Sequence, residues 1–350
     1  MIFYTGSYTQ EGAPASNPTG EGIGCFTLDL RNGNVSPLGY FKQRNPSYLA
    51  ISKDKHFLYA VEEMYEDLNP ELYAYRIMQD GKLSLINKQK LFGDYACHIA
   101  IIKDRLVVAN YVSGNVLSYP ILEDGSIAPH SQLIQHSGIG PNAERQEAAH
   151  AHMVYPYGDK HMYVVDLSLD KAVAYRFDEA ENSWFTQEEN DISIASGAGA
   201  RHMIMDSTGE FAYILSELTG EIFVAEQKKE LFDLIQNISF VPQSFTDAFG
   251  GAAIRLHPNG KFLYASCRGA NTLAIFKIDA VSNKLTLVGH QSSGGETPRD
   301  FNIDPTGQWL IAANQDSNSL VVFKINQDSG ELTMHSEISV DTPVNITWLD

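Results

Sequence analysis

The chain has 350 residues, 43% of them hydrophobic, with 17 Tyr, 17 Phe and 3 Trp, enough apolar and aromatic material for a large core built from strands. Its 43 acidic against 25 basic residues give a formal charge of -18, which opposes binding to a nucleic-acid backbone or an anionic membrane surface and makes the place of each arginine informative. The three cysteines, Cys25, Cys97 and Cys267, are far apart, odd in number and without CxxC spacing, so they suggest neither a disulfide framework nor a zinc site.

From the first residue, Ile2-Phe-Tyr-Thr-Gly-Ser-Tyr reads as a strand and not as a basic, then apolar, leader. No later segment has the apolar length of a membrane span, and a cytoplasmic protein is expected. Residues 22–28 and 35–40 read as two further strands. A four-strand unit then recurs. Its copies open near Pro46, Ala96, His150, Ala200, Gly251 and Pro298, roughly 50 residues apart, which is the spacing of propeller blades. Tyr59, Tyr163, Tyr213 and Tyr264 hold the same place in the second strand of four copies. Asp206-Ser-Thr-Gly, Pro258-Asn-Gly and Pro305-Thr-Gly supply the turns between strands one and two.

A seventh first strand, Pro343-Val-Asn-Ile-Thr-Trp-Leu, has no hairpin partner after it, and the three strands at the other end of the chain supply the missing ones. The expectation is an all-β, seven-bladed β-propeller over residues 1–350 in one domain, its last blade closed by N- and C-terminal strands. Blades 1 to 6 are numbered here in chain order and the shared blade is blade 7. Two loops, 9–21 and 137–149, are longer than the repeat requires, a feature more often functional than structural.

In such a blade the start of strand one and the end of strand two lie at the same end of the channel. Of ten arginines, Arg201, Arg268 and Arg299 fall at that end, as do Glu217, His150 and His152. Guanidinium groups match phosphate and carboxylate oxygens, so an anion site is one reading; ion pairs to Glu217 and Asp300 that staple blades together are the other. His150 and His152, two apart, share a strand face but form a weak metal signal without further ligands. Aligned on the repeat, His98 and His202 fall with His152, so this position serves either as polar lining or for proton transfer. Arg201 then falls with Ala151, which on a regular strand faces away from His152. Glu217 is a general acid or base, or the ion-pair partner of Arg201. Asp166 and Asp170 are read as acceptors of turn amides. Nucleophile-elbow, Walker, HExxH and dinucleotide-fingerprint motifs are absent from the sequence, so chemistry here, if any, is expected to be water-based acid–base work with arginine electrophiles.

The segments Gly140-Pro-Asn-Ala-Glu-Arg-Gln-Glu-Ala-Ala-His-Ala-His, Asp166-Leu-Ser-Leu-Asp, Gly197-Ala-Gly-Ala-Arg-His, Ser216-Glu-Leu, Cys267-Arg-Gly and Pro298-Arg-Asp-Phe together resemble the lactonase family of seven-bladed propellers, which contains bacterial 6-phosphogluconolactonases and fungal carboxymuconate-lactonizing enzymes. The resemblance covers nearly the whole chain. It implies a catalytic group of His152, Arg201, Glu217 and Arg268, with Arg299, His150, Arg145, Gln146 and His202 as substrate-binding candidates. It also implies hydrolysis of a small anionic sugar-phosphate lactone, 6-phosphogluconolactone, without metal or organic cofactor. Ala200, Ser168 and Cys267 stand where the family usually has proline, glycine and asparagine, and these departures bear on substrate preference. Two other functions stay open: lactonization of a muconate-type dicarboxylate, and a non-catalytic propeller that binds a ligand or protein partner.

Overall fold

A strand that is apolar on both faces must be covered by a sheet on each side, and a ring of blades is an arrangement in which every sheet has two neighbours. The computed structural model describes residues 1–229 and 231–349. Among these residues the strands form seven antiparallel sheets. Blade 1 runs outward through Leu49–Ile51, Phe57–Val61, Glu71–Ile77 and Leu83–Lys90. The inner strands of blades 2 to 6 are Ala96–Ile102, Ala151–Tyr157, Ala200–Met205, Gly250–Leu256 and Pro298–Ile303.

Blade 7 has the order Pro343–Trp348, Ile2–Ser7, Ile23–Asp29, Asn34–Phe41, so the two ends of the chain close the ring as the repeat count requires. One strand was not foreseen. Ile192–Ser193 pairs with Ala172 and Lys171 as an addition to blade 3; two residues before a Ser-Gly turn carry too little alternation to register as a strand.

The inner strands of successive blades touch all the way round, blade 7 against blade 1 included, and form the wall of an axial channel. The apolar core is correspondingly divided among the seven blade interfaces. At the closing interface Tyr4 and Ile23 of blade 7 pack with Leu58, Tyr73 and Tyr75 of blade 1.

The repeated tyrosine of strand two is an inter-blade tether. The hydroxyls of Tyr4, Tyr59, Tyr213 and Tyr264 donate to the carbonyls of Gly81, Gly125, Asn283 and Gly330 at 2.8, 3.1, 3.1 and 2.8 Å. Each acceptor lies in the outer turn of the following blade. Tyr163 instead meets Phe232 edge-on, with ring centroids 6.4 Å apart. Because Tyr264 is fully buried, Tyr264→Phe leaves the Gly330 carbonyl without its donor and is expected to cost about 1 kcal/mol in urea unfolding; an unchanged midpoint would show that the tether is not holding the blades. Among the described residues no helix is long and apolar enough to cross a membrane.

Candidate active site

Two positions of the repeat build one end of the channel. The first lies in the inner strand, one residue after its opening. In blade 4, Ala200 pairs with Ser216 and His202 with Leu215, so Arg201 is an extra residue, a bulge. The same irregularity isolates Cys97 in blade 2, His152 in blade 3 and Arg299 in blade 6. A bulge re-aims a side chain and increases local twist, and all four of these side chains line a common cavity.

This corrects the alignment made from sequence. His152 corresponds to Cys97 and Arg201, while His98 and His202 correspond to Met153. Arg201 and His152 therefore occupy equivalent positions, and the opposite-face difficulty disappears.

The second position lies four residues after the tethering tyrosine, or after Val107 in its place in blade 2, at or just past the end of strand two. It holds Tyr8, Glu63, Tyr111, Glu217 and Arg268 in blades 7, 1, 2, 4 and 5, and the last four line the same cavity. Tyr8 stands behind them and donates to Glu63 at 2.8 Å.

The cavity, about 660 Å³ including its mouth, also receives Arg145 and Pro14 from the two long loops. Loop 137–149 is held by Gln146. Its side-chain oxygen accepts from the Asn142 amide at 3.1 Å, and its nitrogen donates to Leu167 O and Asp170 Oδ1, both at 2.9 Å. Gln146 thus fixes the loop that presents Arg145 and does not itself face the cavity. His150 is similarly occupied, its ring between Tyr111 O at 2.8 Å and Glu147 Oε1 at 3.1 Å and stacked on Tyr111. Asp166 accepts from the amides of His150, Ser168 and Leu169, the last two in its own turn as read from the sequence, whereas Asp170 accepts from Gly197 and Gly199 in the loop that leads to blade 4. His202 lies deeper along the axis, in a polar recess of about 300 Å³ shared with Tyr48 and Asp300.

Glu217 is the electrostatic centre. Its carboxylate accepts from Arg201 Nε at 2.9 Å and from Arg145 Nη2 at 2.6 Å, lies 3.1 Å from Arg268 Nη2, and is 4.0 Å from His152 Nε2. Burial alone would push its carboxyl up, but Arg268, Arg201 and Arg145 outweigh burial and hold it well below the usual carboxylate range. Arg201, 3% exposed, also donates to Ala252 O. Burial, followed by the like charge of Arg268, brings its guanidinium down to about 10, so it remains a cation near neutral pH. Arg299 lies over the Tyr8 ring with its Nη2 3.8 Å from Glu63. Four guanidinium groups thus face two carboxylates in the cavity, a local positive surplus in an acidic protein.

His152 is neutral here: burial and then Arg201 hold its imidazole well below its ordinary range. A neutral imidazole beside a carboxylate can take a proton from water, and the carboxylate then stabilises the cation formed. Cys97 Sγ lies 3.9 Å from His152 Nδ1, but burial pushes its thiol far up, so it is a neutral wall and not a thiolate nucleophile. Cys97, Tyr111 and Glu63 were not singled out from sequence as cavity residues. The repeat position of Glu217 would have found Tyr111 and Glu63, whereas Cys97 matches His152 only once the bulges are seen in the strand pairing.

His98, His202 and His152, in that order, form a buried chain, with ring centroids 5.9 Å apart in the first pair and 5.4 Å in the second. Burial leads in depressing all three, His98 to about 3 and the other two well below their usual value. The unfolded chain protonates its histidines as pH falls through about 6.5, whereas these three stay neutral in the fold. The stability they contribute is therefore complete above that pH and drains away on acidification toward the folded values. The melting temperature is expected to fall between pH 7 and 5, less steeply in His202→Asn; a pH-independent Tm would contradict the assignment.

Two recesses away from this end of the channel lack this convergence. A crevice of about 510 Å³ at Tyr157, His161 and Gln187 lies between the outer parts of blades 3 and 4, and one of about 950 Å³ at Tyr155, Asp206 and Pro258 lies at the opposite end of the inner strands. Neither gathers several guanidinium groups around a carboxylate.

Residues 2–348 match the family model described as lactonase, seven-bladed β-propeller. A protein named 6-phosphogluconolactonase from Bacillus subtilis is 34% identical over 311 residues, 87% of this chain and 85% of the relative. Among solved structures, a putative 6-phosphogluconolactonase from Bacteroides fragilis superposes with a TM-score of 0.91 at 33% identity, covering 100% of this chain and 98% of the other. A periplasmic gluconolactonase from Pseudomonas aeruginosa does so with a TM-score of 0.90 at 28% identity, covering 99% and 98%.

Proposed function

The chain belongs to the lactonase family of seven-bladed β-propellers and is a lactonase, and from that premise we propose that it hydrolyses 6-phosphogluconolactone to 6-phosphogluconate, a step of the pentose phosphate pathway. The observation that carries this reading is the buried Glu217 carboxylate, shared by three arginines and set 4.0 Å from a neutral His152.

Hydrolysis of a δ-lactone needs a water made nucleophilic, a donor for the oxyanion that forms at the carbonyl, and a proton for the ring oxygen as its bond to the carbonyl carbon breaks. His152 is the base. Glu217, held anionic by its arginines, is a poor proton acceptor and acts instead by stabilising the imidazolium that His152 becomes. Arg201 is the oxyanion donor, fixed before substrate arrives by Glu217 and Ala252 O. The proton taken by His152 returns to the ring oxygen, leaving a hydroxyl and a carboxylic acid, which ionises to the carboxylate by releasing the second proton of the attacking water to solvent. Anionic substrate brings negative charge to guanidinium groups that otherwise depress His152, so binding raises the basicity of that imidazole.

The test is purified protein against freshly generated 6-phosphogluconolactone with the spontaneous rate subtracted, run beside unphosphorylated δ-gluconolactone and a muconate dicarboxylate. The phosphorylated lactone is expected to give the highest kcat/KM. Turnover of the dicarboxylate alone, or no lactone hydrolysis above background, would sink the proposal.

A further inference from the structure

We infer that the outer end of the cavity, where Arg145 and Arg268 meet a surface groove at Gly250 and Gly269, is a phosphate subsite, and that these two arginines select phosphorylated over unphosphorylated sugar lactones. This assignment, which rests on the lactone reading above, divides the arginines by how much of each guanidinium the protein already uses.

Arg201 is held in place by Glu217 and Ala252 O at the buried end of the cavity, beside His152. Arg299 is placed against Glu63 and the Tyr8 ring. Arg268 differs: its Nη2 donates to Gly251 O at 2.8 Å, but its Nε is buried without any acceptor. A buried cationic donor without a partner is costly, and an incoming anion satisfies it. Arg145 uses only Nη2, toward Glu217 Oε1 and Tyr111 OH, and its side chain is 44% exposed.

Charge points to the same place. Arg145, Arg201 and Arg268 share the single carboxylate Glu217, an excess of two positive charges, and a phosphate monoester carries roughly 1.5 to 2 negative charges near neutral pH. Solvation fixes the orientation. A groove of about 630 Å³, bordered by Arg145, Arg268, Phe249 and Gly269, opens from the cavity to solvent, and a strongly hydrated phosphate loses less water there than at the buried end. The less polar lactone carbonyl then reaches Arg201 and His152.

The backbone keeps the subsite clear. A Cβ on Gly250 would come within 2.9 Å of Arg268 Nη2, and one on Gly269, whose φ is +84°, within 2.3 Å of Ala248 O. Side chains at those positions would displace the guanidinium or the backbone at Ala248 that leads into the strand Gly250–Leu256.

The experiment is calorimetric titration of the full chain with 6-phosphogluconate and, separately, with gluconate. Wild type is expected to bind the phosphorylated acid about 100-fold more tightly, on the strength of two charge-assisted contacts. Arg145→Met and Arg268→Met should each reduce that preference about tenfold and together bring it near parity, with Arg145→Lys intermediate because it keeps the charge and loses the fork. Arg145 lies on a surface loop, so its variants remain informative should Arg268→Met fail to fold, which a melting curve shows. Full preference surviving in Arg145→Met, or no preference in wild type, overturns the subsite. Wild type that prefers 6-phosphogluconate but does not hydrolyse the lactone sinks the hydrolase proposal and leaves the subsite standing. Wild type that hydrolyses phosphorylated and unphosphorylated lactones equally well does the reverse.

Discussion

Arg201→Ala is expected to lower kcat by roughly 10²–10³-fold, the usual cost of removing one preorganised oxyanion donor, and also to weaken the fold. The guanidinium is 3% exposed and lies between Glu217 and Ala252 O, so its loss leaves a buried carboxylate less compensated. Removing one partner of a buried ion pair costs about 3–5 kcal/mol; here Glu217 keeps Arg145 and Arg268, which places the expected loss at the low end of that range. Arg201→Lys separates the two effects. It restores a positive charge beside Glu217 and so recovers much of the stability, but its single ammonium cannot hold Glu217, Ala252 O and an oxyanion together, and kcat stays low. Saturating rates and guanidinium chloride unfolding on the same preparations read both. Full activity in Arg201→Ala would show that the oxyanion is stabilised elsewhere.

The second large effect falls on His152. Gln in its place preserves bulk and polarity but cannot take a proton, and kcat is expected to drop roughly 10²–10⁴-fold with KM little changed, because the arginines that bind the anion are intact. The pH profile adds a sharper check. Burial and Arg201 hold His152 well below its ordinary range in the free enzyme, so kcat/KM should stay level as pH falls through about 6.5 and decline only when the depressed imidazole begins to protonate. In His152→Gln that acid limb should vanish. A limb centred near 6.5 that persists in the variant would assign the proton transfer to another group.

The ring of blades was legible in the sequence because its signals are redundant. A recurring tyrosine, a Gly turn after strand one and an orphan first strand near Pro343 each point to the same closure, and the observed strands Pro343–Trp348 and Ile2–Ser7 pair accordingly. The channel end was legible in part. Arg201, Arg268, Arg299, His152 and Glu217 were placed there by strand direction alone, and they line one cavity with Arg145. The orientation of individual side chains was not legible. A bulge at Arg201 or His152 leaves the local apolar pattern intact and appears only in the pairing, where Ala200 meets Ser216 and His202 meets Leu215. Matching the histidines of Ala-His and Arg-His therefore shifted one blade by a residue. His150 and Gln146 show a second limit. Their side chains are drawn into holding the 137–149 loop by Glu147 and Asp170, acceptors whose proximity depends on how that loop folds back. Glu63 and Tyr111 show a third: they sit at the repeat position of Glu217, but residue type alone gave no reason to separate them from ordinary turn polarity.

If the Glu217 cluster is where a phosphorylated sugar acid is made and held, a crystal structure with bound 6-phosphogluconate will show the ligand there. The C1 carboxylate, the remnant of the lactone carbonyl, is predicted beside Arg201 and His152, with the phosphate between Arg145 and Arg268. A ligand found in another recess of the propeller, or in this cavity with its two ends exchanged, would rule out these roles for Arg201, His152, Arg145 and Arg268.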